Sequence, residues 1–149
     1  MRLVEHETRP EGLQAWMGLC EVVDRVRVAL NRELEKDVGL TLAENLVLCQ
    51  VAMAPQRRLR MVDIAGLLCV AKSAVTKTVD RLEQHGLLIR QRDPADRRSV
   101  YASVTEKGAK VFAASQPAFA GAVGRHFADS LNATDLAQLR RLSEKVLRP

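Results

Sequence analysis

Apolar residues recur every three or four positions from Leu13 through Trp16, Cys20, Val23, Val26, Leu30 and Leu34, which is the spacing of one helical face. Met17, Leu19, Val22 and Val28 add a second set, and a helix apolar on more than one face needs partners on more than one side. Thr8-Arg9-Pro10-Glu11 marks its start with a cap residue, an early proline and a glutamate three positions after the cap, and Gly39 marks its end. Thr41-Leu42-Ala43-Glu44 is a second capping box, opening a helix through Leu46, Val47, Cys49, Val51 and Met53 that Pro55 terminates. Leu59-Arg60-Met61 predicts a short strand, and Asp63 to Leu68 a short helix with an acid near its positive end. After a turn at Cys69 to Lys72, Val75, Val79 and Leu82 fall at i, i+4 and i+7 and predict a helix to Gln84. Ser73, Lys77, Asp80 and Gln84 then lie on its far side, flanked by Thr76 and Arg81, and Gly86 supplies the C-cap.

At Gly86 the period changes from helical to two. Gly86 to Arg92 and Ser99 to Thr105 alternate apolar and polar residues around Asp93-Pro94-Ala95-Asp96-Arg97-Arg98, which predicts a β-hairpin with a cationic tip. A polar, basic helix joined through one glycine to a basic hairpin is the layout of a winged helix-turn-helix, in which the helix enters a DNA major groove and the hairpin reaches an adjacent minor groove. Downstream, Thr105 caps a helix through Phe112, Phe119, Val123 and Phe127, and Pro117 predicts a kink or break within it. Asn132-Ala133-Thr134-Asp135 is a fresh cap for a last helix with a stripe at Leu136, Leu139, Leu142 and Val146. The expected fold is mainly α with a small β-sheet. It is one domain, with a winged core at about 41–105 flanked by helices at about 8–38 and 106–149.

The chain has 149 residues, 47% of them apolar, enough for a real core and against disorder. Its net charge of +5 is unevenly distributed. Between Arg57 and Lys107 there are eleven basic and six acidic residues, whereas the rest of the chain holds twelve of each sign. A phosphate backbone explains a local excess of this kind, because neutralising phosphates releases condensed counterions. No run approaches 18 apolar residues, and Met1-Arg2-Leu3-Val4-Glu5-His6-Glu7 lacks the layout of a signal peptide. The expectation is a soluble cytoplasmic protein with no membrane partner. Cys20, Cys49 and Cys69 are odd in number and form no Cys-x-x-Cys pair, which argues against a disulfide framework or a zinc site. His6, His85 and His126 are scattered, and no H-E-x-x-H, G-x-S-x-G or phosphate-loop signature occurs, so neither an enzyme nor a cofactor is expected.

The stretches Leu59 to Ala65, Ser73 to Glu83, Gly86-Leu87, Asp93 to Arg98 and Val104-Thr105-Glu106-Lys107-Gly108, taken together, resemble the MarR (multiple antibiotic resistance regulator) family of bacterial transcription factors. The resemblance covers nearly the whole chain. It implies a homodimer whose first and last helices interlock, with two winged domains reading the halves of a palindromic operator. The chain departs at Cys69 and Ala71, where many relatives carry Gly and Ser. Loss of a serine cap costs roughly 0.5–2 kcal/mol, and Ser73 or a backbone arrangement is expected to compensate.

Double-stranded DNA is thus the expected partner, and Lys72, Ser73, Thr76, Lys77 and Arg81 are the candidates to reach base edges or phosphates. At the wing, Arg97 and Arg98 suit the narrow, negative minor groove of A·T-rich DNA. The resemblance implies that Arg98 enters that groove and that Asp96 braces it. Two winged domains about 34 Å apart double the contacts and match a palindrome. The two-faced first helix and the last stripe either meet such a partner or are buried within the chain.

The resemblance also implies a small-molecule effector pocket between the dimerisation helices and the winged domain, for which Trp16, Met17, Cys20 and Asp63 are candidates. A core or interface aromatic is the plainer reading of Trp16, and an acid in a first helical turn needs no ligand to explain it. Some relatives use a first-helix cysteine as a peroxide switch. Here Cys20 has apolar neighbours Leu19, Val22 and Val23, and the supporting tyrosines of those sensors are missing, so an inert thiol is preferred to a redox sensor. The other alternative is a non-specific architectural DNA-binding or interaction protein that keeps the fold without specific readout.

Overall fold

The computed structural model describes residues 10–148. Helix α1 spans Pro10–Val38, so the expected cap at Thr8 lies outside the described residues. The cap of α2 (Leu42–Met53) is as expected: Thr41 Oγ1 accepts from Glu44 N–H at 3.1 Å, and Glu44 Oε2 accepts from Thr41 N–H at 2.8 Å. Strand β1 (Arg58–Arg60) and α3 (Met61–Leu68) follow. Met61 therefore opens the helix instead of closing the strand. Helix α4 (Lys72–Gln84) leads into the hairpin of β2 (Leu88–Arg92) and β3 (Val100–Val104), then α5 (Glu106–His126) and α6 (Ala133–Leu147).

The three strands form an antiparallel sheet in the order β1-β3-β2, with Arg60 opposite Tyr101 and Arg90 opposite Ala102. One face of this sheet, α2, α3 and α4 close around Leu48, Val51, Ile64, Val75, Val79, Leu82, Leu88 and Ala102, all but fully buried. Each such aliphatic side chain contributes on the order of 1.5–3 kcal/mol over its exposed state. A second cluster, Leu30, Leu34, Leu42 and Ala122, fastens α1 to α5 and α2. Beside it the Glu33 carboxylate accepts from the Arg125 guanidinium and meets His126 Nε2 at 2.6 Å. Arg125 above all, and then His126, hold the Glu33 carboxyl down from 4.5 to about 2.

Two glycines fix how the winged core joins its neighbours. Gly86 has φ +72°, and the amides of Gly86 and Leu87 each donate at 2.8 Å, to Glu83 O and Leu82 O. That is a Schellman stop, and it sends the chain straight into β2. Gly108 sits where α5 crosses the start of the hairpin, and a Cβ there would lie 2.0 Å from Leu87 O. Only hydrogen fits.

Two expectations are narrowed, since α5 has no break and Ser73 no capping role. Helix α5 runs unbroken through Pro117. An interior proline costs about 3 kcal/mol, but α5 packs against both α1 and α2, and Ala113, whose carbonyl loses its partner, is exposed to water. At α4, neither Ala71 nor Ser73 makes a side-chain cap. Ala71 O instead accepts from the amides of Ala74 and Val75 at 3.0 and 3.2 Å, so the backbone arrangement alone closes the turn. Cys69 holds φ +52° in that turn, and the amides of Cys69 and Val70 donate to Gly66 O and Ala65 O. This is a position that glycine fills without steric cost.

The apolar faces of α1 and α6 are not buried within the chain. Leu13, Trp16, Met17 and Leu19 are more than half exposed, as are Leu142, Val146 and Leu147, and α6 has no buried residue. Among the described residues nothing buries these positions. No helix among the described residues is long and apolar enough to cross a membrane.

Candidate nucleic-acid interface

Helix α4 presents three faces, and its sequence sorts onto them by chemistry. Val75, Val79 and Leu82 enter the core. Ser73, Lys77 and Arg81, spaced i, i+4 and i+8, are exposed on a second face, with Lys72 exposed at the first turn. Among the described residues, none of Lys72, Lys77 and Arg81 is in an ion pair. Thr76, Asp80 and Glu83 share the third face, which turns toward the wing. Thr76 is exposed, but its hydroxyl donates to Lys72 O at 3.0 Å, which leaves it as an acceptor toward a base. The periodicity alone places Asp80 on the far side with Ser73 and Lys77, whereas its carboxylate is drawn to the hairpin.

Arg90 on β2 is what draws it. Its Nη2 donates to Asp80 Oδ1 at 2.6 Å and to Thr76 O at 3.2 Å, and its Nη1 pairs with Glu83 Oε2. Its own amide donates to Glu83 Oε1 at 2.7 Å. Both carboxylates of α4 are thus engaged by one guanidinium, and the free charges left on the helix are all positive. Sequence reasoning missed this residue, since nothing local marks an arginine at an alternating hairpin position as anything but a solvated face.

At the wing tip Arg97 and Arg98 are exposed and unpaired among the described residues. Asp96 grips the turn rather than the guanidinium. Its Oδ1 accepts from Arg98 N–H at 3.0 Å and its Oδ2 from the Ser99 hydroxyl at 2.7 Å. These bonds, the Ser99 hydroxyl first and the Arg98 amide second, lower the Asp96 pKa. Asp93 closes the loop from the other side, its amide donating to Ser99 O at 3.0 Å and its Oδ1 accepting from Ala95 N–H at 2.8 Å. The loop is therefore a set of interlocked turns that fixes where Arg98 starts, while the guanidinium stays free.

Two further arginines were not foreseen. Arg58 and Arg60 on β1 both face the Tyr101 ring, at 4.9 and 5.8 Å from its centroid, and Arg60 Nε donates to Tyr101 Oη at 3.2 Å. Tyr101 thereby holds two exposed cations at the base of the wing. Arg60, Thr76, Arg90 and Arg98 meet around a cleft of about 350 Å³ between the wing and the helices. The site is thus a continuous basic surface from α4 across β1 to the wing tip.

The four effector candidates are not brought together. Trp16 and Met17 are exposed on α1, Cys20 is half-buried there, and Asp63 is exposed on α3. A cavity of about 570 Å³ lies between α1, the end of α5 and α6, lined by Leu19, Val22, Phe127 and Leu139. A second, of about 320 Å³, lies where Arg27, Val28 and Asn31 of α1 face the start of α2.

Residues 40–100 match the model of the MarR family. The chain is similar to the HTH-type transcriptional regulator MhqR of Bacillus subtilis, 34% identical over 62% of this chain and 64% of that one. It therefore spans less than two thirds of that relative's length. It is also similar to Sco3205, a MarR family transcriptional regulator of Streptomyces coelicolor solved in complex with DNA. That match has 27% identity and a TM-score of 0.82, over 97% of this chain and 92% of that one. CouR of Rhodococcus jostii RHA1, solved bound to p-coumaroyl-CoA, matches with 25% identity and a TM-score of 0.76, over 97% and 96% of the two chains. By the family model over residues 40–100, by curated relatives and by fold, the chain is similar to the MarR family of winged helix-turn-helix transcription regulators.

Proposed function

We propose that the protein is a sequence-specific double-stranded DNA-binding regulator of transcription, a ligand-responsive repressor that acts as a homodimer on a palindromic operator. The observation that carries this reading is the set of exposed cations without an ion pair among the described residues: Lys77 and Arg81 on one face of α4, Lys72 at its first turn, and Arg97 and Arg98 at the wing tip. Lys72, Ser73, Thr76, Lys77 and Arg81 serve the major groove, and Arg98, placed by Asp96, serves the minor groove. The helices at about 8–38 and 106–149 carry dimerisation, which would cover the exposed faces of α1 and α6. The complex structure of Sco3205 supports the DNA partner. The CouR structure, with the two cavities beside α1, supports a small organic effector that changes the spacing of the two winged domains. The protein acts by occupancy rather than catalysis, in the cytoplasm where its operator lies.

Selection of duplexes from a random library, followed by titration of the enriched duplex at several salt concentrations, tests this reading. A dimer bound per palindromic site, with affinity falling steeply as salt rises, is the expected result. A monomer by sedimentation at micromolar concentration, or no enrichment over random duplex, would overturn it.

A further inference from the structure

The DNA-binding reading leaves open what fixes the angle between α4 and the wing. We infer that Arg90 is a positioning residue that locks the two groove-reading elements into one rigid unit; this rests on the proposed function and adds to it. Arg90 belongs to β2, yet three of its four bonds run from its guanidinium to Thr76, Asp80 and Glu83, at i, i+4 and i+7 along α4. The fourth, from its backbone amide to Glu83, pins the strand to the same helix. A planar fork with several fixed donors resists both sliding and rotation of one element on the other, which a point charge does not. The Arg90 side chain is only 26% exposed, and three of its five N–H donors are spent on α4, which sets it apart from the free cations of the surface.

The same clamp shapes the field. Asp80 and Glu83 are the only carboxylates of α4. Free, they would repel the phosphates that Lys77 and Arg81 approach; held by Arg90, they face the wing and are neutralised.

This gives a prediction opposite to the one from charge alone. Asp80→Asn removes a negative charge from the DNA-facing helix, and simple electrostatics has it tighten binding to every duplex equally. The clamp requires that the preference for the selected duplex over random duplex fall about tenfold, the discrimination of one well-placed base contact. Affinity for random duplex should hold or rise. Arg90→Lys keeps the charge and loses the fork, and should show the same fall in preference. The two variants and the wild-type dimer are titrated by fluorescence anisotropy against both duplexes, with thermal melts as folding controls. If Arg90→Lys does not fold, Asp80→Asn, whose side chain is 50% exposed, carries the test. An unchanged preference in a folded Asp80→Asn variant overturns the clamp. Failure of the wild type to bind any duplex refutes the DNA-binding reading instead.

Discussion

Arg90 Nη2 lies 2.6 Å from Asp80 Oδ1, and this pair joins the first strand of the wing to the helix beside it. Its partners lie ten and seven residues back along the chain, across the Schellman stop at Gly86. The stop sets the direction in which β2 leaves α4, and the guanidinium fixes the angle. The cations that remain on α4 and at the wing tip, Lys72, Lys77, Arg81, Arg97 and Arg98, are exposed.

Truncating the wing is the sharpest test of the minor-groove assignment. Arg98→Ala should cost about 1–3 kcal/mol of operator affinity and flatten the salt dependence by about one contact. The melting temperature should not move, because the Arg98 guanidinium has no partner among the described residues while Asp96 grips its backbone. Anisotropy titrations at several salt concentrations check the first, and a thermal melt the second.

The turn before α4 carries two correctable costs. Cys69 holds a left-handed backbone at φ +52°, and Cys69→Gly should stabilise the protein by about 1 kcal/mol. Ala71→Ser, which restores a cap that α4 lacks, should add about 1 kcal/mol more. Chemical denaturation with an unchanged m-value would read both gains.

Gly108 predicts the opposite sign. With a Cβ only 2.0 Å from Leu87 O, Gly108→Ala must part α5 from the hairpin and should destabilise by about 1–3 kcal/mol. The same denaturation experiment measures it, and a neutral result would show that the two elements are not held at this distance.

The Glu33 cluster gives a pH signature. Its carboxyl is held at about 2 instead of 4.5, so the unfolded chain takes up the proton first. The stabilisation is fully present above pH 4.5 and is lost as pH falls toward 2. Wild type should therefore exceed Glu33→Gln in stability near neutrality. The gap should close between pH 4.5 and 2 in urea titrations, and a pH-independent gap would contradict the pairing.

What the sequence disclosed was local. The capping box at Thr41/Glu44 and the cap at Asn132 span four residues each and form as read, the latter as a full box with Asp135. The hairpin, too, follows from a change of period and a turn composition. What it hid depends on register between distant segments. Asp80 reads as a far-side residue until Arg90 is brought beside it, and Arg60 reads only as part of a short strand until Tyr101 on β3 stands opposite. Pro117 reads as a kink or a break, and the break is absent because α5 packs on α1 and α2, which is invisible in a propensity. Trp16, Met17 and Cys20 share one stretch of α1 while Asp63 lies on α3, and shared chemistry on two elements does not make them neighbours.

Hydroxyl-radical footprinting of the wild-type protein on its selected duplex bears hardest on the paired-groove reading. It should show two major-groove protections about 34 Å apart, each flanked by a minor-groove protection that Arg98→Ala erases. Uniform protection along the duplex, or flanking protections that persist without Arg98, would contradict it.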